Sequence, residues 1–217
     1  MKKPQSGWLD LASPNSLTIG TSVEGFHTDA NDVALVCGAA LTGVASFNSN
    51  GLFLEGRATN GTGAAIWAAA CSTQYDPVLS MVVHFRKAVS AMGWTSLMCP
   101  DKIPSDTRHH VSYGCAFNTS SYYEAIYGIY YSMGTMSAFS NGDWVRFEFS
   151  TFSTQGNFKA YKLSSGDPAD WDGGTLEVDQ DFLTTRESET GIVVPFITYR
   201  DGITGGELRA VKVEVRR

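Results

Sequence analysis

The feature that most constrains the fold is the stretch 141–163, NGDWVRFEFSTFSTQGNFKAYKL. Within 143–149 two sets of side chains alternate: Val145, Phe147 and Phe149 against Trp144, Arg146 and Glu148. Because side chains of a strand point alternately to opposite faces, this pattern predicts a strand with one buried face. The small and polar residues of 153–157 predict a turn, and 158–163 is the expected returning strand.

Short strand candidates fill the rest of the chain, and no long apolar period of 3.6 residues appears. The candidates are 8–11, 16–19, 33–37, 43–47, 52–55, 64–70, 78–87, 94–99, 111–117, 122–131, 143–152, 158–163, 175–179, 192–199 and 207–215. The alanines of 64–70 also suit a helix, but the glycine-rich residues before them favour a strand. Asn50-Gly51 predicts a hairpin tip. This spacing predicts an all-β, antiparallel sandwich or barrel.

Length, charge and cysteine content indicate the domain organisation and exclude some classes of partner. No linker-like segment divides the 217 residues, so we expect one domain over 1–217, with 1–30 as a candidate N-terminal arm or extension. The net charge is −6 without a basic run, which argues against nucleic acid. No apolar run is long enough for membrane insertion, and no secretory signal is recognisable. The four cysteines form no CxxC pair, and no cofactor is expected.

Five stretches carry a resemblance to a known family: 50–54, 79–86, 143–147, 157–163 and 205–213. In this order they resemble landmarks of the concanavalin A-like, laminin G-like jelly roll, although 157–163 lacks that family's usual "vdG" ending. The resemblance implies a two-sheet antiparallel β-sandwich. The superfamily includes lectins, glucanases, adhesion modules and virion proteins, so it implies a fold more than a function.

The stretch 177–181 places Glu177, Asp179 and Asp181 on one face of a strand. It is similar to the retaining glucanase motif E-x-D-x-E of the same superfamily, in which two carboxyl groups about 5 Å apart act on a glycosidic bond. Asp181 replaces the motif's second glutamate, and its shorter side chain would change that separation. The favoured interpretation is a solvated edge strand whose charges prevent edge-to-edge pairing.

The loop 167–174, DPADWDGG, is the first place to expect binding. Asp167, Asp170 and Asp172 are candidate calcium ligands, because Ca²⁺ prefers oxygen ligands. An exposed Trp171 would suit stacking on a sugar ring. A plain turn explains the same residues, and is the favoured alternative.

Five tyrosines form a dense band: Tyr122, Tyr123, Tyr127, Tyr130 and Tyr131. Tyrosine is enriched at interfaces, so the band suits a glycan surface as well as a half-buried strand. The predicted carbohydrate site consists of Trp171, Asp170, Asp172, Tyr127 and Tyr130. His109 and His110 are adjacent and would point to opposite faces of a strand, which supports no zinc site.

Three functions compete. The first is a structural or adhesion component of a virus particle, most readily a bacteriophage capsid decoration or tail-fibre protein. It would be made in the host cytoplasm and located in the virion, assembled with other virion proteins or copies of itself as a homo-oligomer, and able to bind host-surface glycans. The second is a stand-alone carbohydrate-binding module. The third is a glycoside hydrolase that uses Glu177 and Asp181. No catalytic set is evident, so we expect no enzyme activity.

Overall fold

The computed structural model describes thirteen ranges of the chain: 7–14, 26–28, 34–38, 44–55, 65–72, 76–85, 92–98, 113–117, 121–126, 129–152, 155–183, 192–200 and 206–216. Its strands are β1 Leu9–Asp10, β2 Phe26–Thr28, β3 Ala34–Gly38, β4 Val44–Asn48, β5 Gly51–Glu55, β6 Ala65–Ser72, β7 Asp76–His84, β8 Met92–Met98, β9 Tyr113–Phe117, β10 Ser121–Ile126, β11 Ile129–Thr135, β12 Trp144–Phe152, β13 Gln155–Leu163, β14 Thr175–Leu183, β15 Ile192–Arg200 and β16 Gly206–Arg216. A 3₁₀ turn at Pro168–Asp170 is the helical element among the described residues. No described helix has the length and hydropathy to cross a membrane.

The strands form three antiparallel sheets. The main sheet has the order β14-β13-β12-β7-β16-β5-β4, and β1 also pairs with β16. A second sheet has the order β2-β3-β6-β15-β8, and a small sheet the order β11-β10-β9. β8 lies beside β9, so the second and small sheets adjoin. The predicted all-β antiparallel class is confirmed. Within 1–30, β1 belongs to the main sheet, because Leu9 lies opposite Val211.

The predicted hairpin of 141–163 lies inside the main sheet. Every residue of β12 has a partner in β13, from Trp144 opposite Leu163 to Phe152 opposite Gln155. The predicted turn over 153–157 was too long, because β13 already begins at Gln155. Apolar packing of its strand residues outweighs the turn preference of Gly156 and Asn157, which pair with β12 instead.

The inner face of the main sheet forms the core. Val145, Phe147 and Phe149 of β12 are fully buried, as the alternation predicted. Phe158 of β13 lies between Phe147 and Phe149, with ring centroids 5.8 and 5.0 Å away. Tyr122 of β10 packs on Phe158 at 5.7 Å, which brings the small sheet against the main one. Tyr122 thus packs on the apolar inner face of the main sheet, as side chains of facing sheets do in a β-sandwich.

Of two further sequence predictions, one is wrong and one is confirmed. The stretch 122–131 was predicted as one strand, but it contains parts of β10 and β11, with Ile126 opposite Ile129. Its high density of tyrosine, a strong strand former, hid the break that Gly128 signals. The hairpin tip at 48–51 is confirmed, since Asn48 pairs with Gly51. Gly51 has φ 138°, and a Cβ there would lie 2.2 Å from the carbonyl oxygen of Leu208, so only glycine fits.

Candidate functional site

The outer face of the main sheet divides into two parts with different surroundings. Cross-strand partners share a face, so Trp144, Arg146 and Glu148 lie on the outer face, on the opposite side from Val145. The part that we call the covered half lies under other segments of the chain. Its core is Trp8, Val82, Leu163, Trp171 and Ala210, with Trp144 packed against it. The part that we call the bare half is the exposed polar surface of β13 and β14.

The covering loop, residues 164–174, folds back over this face and is held together by its own carboxylates. Asp167 caps the 3₁₀ turn, because its Oδ1 accepts a hydrogen bond from Ala169 N at 3.0 Å. Asp170 Oδ2 accepts from Ser164 N and from Ser164 Oγ, both at 2.8 Å. These bonds fix the backbone path that carries Trp171 onto the sheet. Gly166 lies so close to Trp144 that a Cβ there would be 2.5 Å from its ring.

Trp171 is the centre of the covered half. Its side chain is 0% exposed, and its Nε1 donates to Gly166 O at 3.2 Å. The prediction of an exposed ring that stacks on a sugar is therefore wrong. The flanking aspartates and glycines suggested a solvated loop. The loop instead buries its one large apolar side chain against the sheet, because a tryptophan gains more from burial than any other residue of the loop.

Residues 7–14, which we call the 7–14 segment, complete the cover. Trp8 packs edge-on against Trp171 with centroids 5.6 Å apart and planes at 63°. Trp8 Nε1 donates to Asp172 Oδ1 at 3.0 Å, and Lys212 Nζ reaches the same oxygen at 3.2 Å. Asp172 thus links the loop to the segment and to β16. Asp172 therefore has a structural role here, because its Oδ1 already accepts hydrogen bonds from Trp8 and Lys212.

The three calcium candidates do not converge in this structure. Asp167, Asp170 and Asp172 each hold a different partner: a turn amide, the Ser164 backbone and side chain, and the Trp8 indole with Lys212. Within the described ranges, no group of three or more His, Cys, Asp and Glu side chains is placed to hold a metal ion. Calcium would have to displace bonds that stabilise the loop.

The bare half presents a small, ordered group of polar side chains. Asn157 Nδ2 donates to Asp179 Oδ1 at 2.7 Å and to Asp181 Oδ1 at 2.9 Å. Lys159 Nζ lies 3.8 Å from Asp179 Oδ2. Asp179 and Asp181 are exposed, and β14 lies at the edge of the main sheet. The prediction of a charged, solvated edge strand at 177–181 is confirmed. No local sequence pattern marks the group, because it depends on the register that places Asn157 opposite Asp181 and Lys159 opposite Asp179.

Arg146 marks the boundary between the two halves. It is only 8% exposed, although arginine is rarely buried. Its Nη1 donates to Glu148 Oε2 at 3.0 Å, and Nη2 donates to Gly173 O at 3.3 Å. The guanidinium lies 3.7 Å from the ring centroid of Tyr161. Arg146 therefore ties the covering loop to the sheet beside the exposed carboxylates.

One carboxyl group at the start of β12 has a shifted pKa. Burial raises the pKa of Asp143, but hydrogen bonds from Lys162 and from the Ser140 backbone, together with the charge of Lys162, outweigh it and lower the pKa below its usual value. The Lys162 Nζ to Asp143 Oδ2 distance is 2.8 Å. This ion pair joins the two strands of the hairpin at its open end.

The tyrosine band is split by the hairpin of β10 and β11. Tyr122 points inward onto Phe158, whereas Tyr131 is 51% exposed. Tyr130 lies in β11 opposite Ala125, and Tyr127 lies outside the described residues. The large exposed aromatic of the described surface is thus Tyr131, which the sequence placed in the band but not in the binding site.

Comparison with known proteins defines the fold. No protein family profile and no curated protein matches the sequence. A Shewanella oneidensis MR-1 protein of unknown function superposes with a TM-score of 0.60 at 13% identity, over 96% of this chain and 85% of that one. Arcelin-5, a lectin-like defense protein from Phaseolus vulgaris, superposes at 0.56 and 15% identity, over 88% and 95%. The fold is a concanavalin A-like jelly roll.

Other matches broaden this picture without assigning a function. Peanut lectin superposes with a TM-score of 0.54 at 10% identity, over 85% of this chain and 99% of that one. A Trypanosoma rangeli sialidase matches at 0.53 and 13% identity, and covers 99% of this chain but 31% of the sialidase. At such identities the likeness establishes the fold alone.

Proposed function

We propose that the protein binds carbohydrate, without enzymatic activity, and that the bare half of the main sheet holds the glycan. The observation that carries the proposal is the Asn157–Asp179–Asp181 group, in which one amide positions two exposed carboxylates. Sugar hydroxyls are hydrogen-bond donors and acceptors, and carboxylates are strong acceptors. A pair of carboxylates fixed by an amide can accept from neighbouring hydroxyls of one ring.

The rigidity of this group supports the proposal. Asn157 lies in β13 and the two aspartates in β14, so the backbone ladder holds all three side chains in register. Sites on strands are positioned more accurately than sites on loops, and side chains that are ordered before binding lose less entropy. Asp181 Oδ2 takes no part in the two bonds from Asn157, which leaves it for a ligand hydroxyl.

The fold supports the same class of function. Arcelin-5 is named as lectin-like and the peanut protein as a lectin, and both share this jelly roll over most of their length. The sialidase shares it over a part of its chain only. Asp179 and Asp181 are held by one amide as hydrogen-bond acceptors, which suits ligand binding. We therefore assign Glu177 and Asp181 no catalytic role.

The virus-particle setting remains a prediction of the sequence. The similar structures described above are lectins, a sialidase and a protein of unknown function, and none of them points to a capsid or a tail fibre. Binding of host-surface glycans would be common to a lectin and to a virion adhesin. A virion localisation is therefore compatible with the proposed activity, but it is not needed for it.

A glycan array screened with and without calcium tests the proposal. We expect calcium-independent hits whose affinity falls about ten-fold or more in Asn157→Ala and Asp181→Asn, because each loses a hydrogen bond that involves a charged group. Ser137→Ala, an exposed polar change near the small sheet, is the matched control and should bind normally. An array without hits would refute the proposed function, and hits that both variants retain would refute the proposed site.

A Tyr131 variant distinguishes a glycan site on the bare half from one on the small sheet. Tyr131 is the exposed aromatic of the small sheet, and aromatic rings stack on sugar faces. If Tyr131→Ala abolishes binding while Asn157→Ala does not, the protein is a lectin whose site lies on the small sheet. The proposed site would then be wrong while the proposed function holds.

A further inference from the structure

The 7–14 segment is held by backbone contacts with β16 and β4. β1 pairs with β16 at two positions, Leu9 opposite Val211 and Asp10 opposite Ala210. Leu11 N donates to Arg209 O at 2.9 Å, and Ser13 N donates to Asn48 O at 2.8 Å. These partners are distant in sequence from the segment.

The docking site of the segment has the properties of a strand-recognition site. Main-chain bonds to β16 hold the backbone, and a pocket beside Trp171 accepts one large side chain, Trp8, which is 3% exposed. Two ion-pair or hydrogen-bond anchors flank it: Arg209 Nη2 to Asp10 Oδ2 at 3.1 Å, and Trp8 Nε1 to Asp172. Backbone pairing with pockets for alternate side chains is how proteins bind an added strand.

Arg209 makes the site specific for this segment. Its Nη1 donates to Ser49 O at 2.9 Å, while Nη2 holds Asp10. Its guanidinium also lies 5.5 Å from the centroid of the Trp171 ring. The site thus contacts a tryptophan and, two residues later, a carboxylate, which are Trp8 and Asp10 of the 7–14 segment.

We propose that the 7–14 segment is an exchangeable strand, and that its second docking site is the same site on another copy of this chain. Eleven residues, 15–25, connect Pro14 to Phe26, the first residue of β2. The twelve Cα–Cα steps from Pro14 to Phe26 span at most about 43 Å when fully extended, which allows the segment to dock on a neighbouring molecule. Exchange of identical elements keeps every contact and yields a closed, symmetric dimer. This inference is independent of the glycan site.

Exchange of the 7–14 segment should depend on protein concentration, because residues 15–25 connect the segment to its own docking site. A segment on a short connection has an effective concentration in the millimolar range at its own docking site. Exchange between copies therefore becomes appreciable only as the protein approaches that concentration, or where another assembly holds copies together. The expected behaviour is a monomer when dilute and a slowly forming dimer when concentrated.

Cysteine capture in full-length chains tests the exchange. One chain carries Leu9→Cys and the other carries Val211→Cys, two positions that lie directly opposite each other. Such pairs are close enough for a disulfide. After mixing at high concentration and mild oxidation, we expect a covalent dimer whose 9–211 linkage mass spectrometry identifies. Trp8→Ala in the Leu9→Cys chain should lower the yield about ten-fold or more, because the buried tryptophan anchors the strand.

The controls keep the result decisive. A double variant with both cysteines in one chain should close its disulfide internally when dilute, and a cysteine at exposed Thr175 should not capture Leu9→Cys. If the double variant closes while the mixture gives no 9–211 dimer at any concentration, the proposal is overturned. A sedimentation series on the unaltered chain that stays at the 23.5 kDa monomer mass throughout overturns it as well.

Discussion

The two halves of the outer face of the main sheet meet at β13 and differ in chemistry. In the covered half, tryptophans from three distant segments pack on Val82 and Ala210. In the bare half, Asp179 and Asp181 are exposed on β14, and half-buried Asn157 of β13 donates to both. The difference shows that the face gains stability where another part of the chain supplies a large apolar side chain. Where none does, β13 and β14 present ordered polar groups.

Among the substitutions considered, removal of Trp171 at the centre of the covered half should lower the free energy of unfolding most. Trp171→Ala leaves a cavity beneath the covering loop, and we expect it to lower the free energy of unfolding by about 3–5 kcal/mol. Urea denaturation measures the change. The control is Leu176→Ala in the bare half, where the side chain is 45% exposed and the expected change is within about 0.5 kcal/mol. Equal effects of the two substitutions would remove the distinction between the halves.

A glycine pair tests how tightly the loop closes on the sheet. Gly174 has φ 104°, and a Cβ there would lie 2.8 Å from Leu163 Cδ2 and from Lys162 O. Gly174→Ala should cost about 2–4 kcal/mol, because backbone strain and overpacking add. Gly142 has φ 89° with nothing within 4 Å, so Gly142→Ala should cost only the strain, about 1–2 kcal/mol. Thermal unfolding of both variants gives the difference, and equal costs would contradict the close packing.

The Asp143–Lys162 ion pair should make a small, pH-dependent contribution at the open end of the hairpin. The folded pKa of Asp143 lies below the usual value, so the pair stabilises the protein above the unfolded pKa of about 3.9 and loses that effect as the pH falls through the folded pKa. Asp143→Asn should therefore cost less than about 1 kcal/mol at pH 7, and this cost should shrink as the pH falls through the folded pKa of Asp143. A cost that does not shrink as the pH falls would show that the carboxylate charge is not its cause.

The smallest effect on stability should come from the bare half itself. Asn157→Ala removes bonds between exposed groups, and we expect a change within about 0.5 kcal/mol in urea denaturation. The substitution should nevertheless weaken glycan binding. A large loss of stability would show that this group is structural, like the aspartates of the covering loop.

Sequence alone predicted the features that depend on local pattern. The alternation of Val145, Phe147 and Phe149 gave the buried face of β12, and Asn50-Gly51 gave a hairpin tip, because period and turn chemistry are local. The charges of 177–181 correctly indicated an edge strand.

What the sequence did not predict depends on contacts between distant segments. Trp171 appeared exposed because its neighbours are polar, yet it packs on Trp8, more than a hundred residues away, and on side chains of the main sheet. Asp172 appeared to be a ligand residue, yet it bonds to Trp8 and Lys212. No local pattern records which loop folds over which face. The Asn157 group likewise required the register between β13 and β14.

The most direct test of the account is a nuclear magnetic resonance titration with a glycan found on the array. The side-chain amide of Asn157 and the Trp171 indole N–H report on the two halves separately. We predict that the Asn157 amide shifts in proportion to binding while the Trp171 indole stays unchanged. A shift of the Trp171 indole with an unchanged Asn157 amide would place the ligand at the covering loop and contradict the assignment.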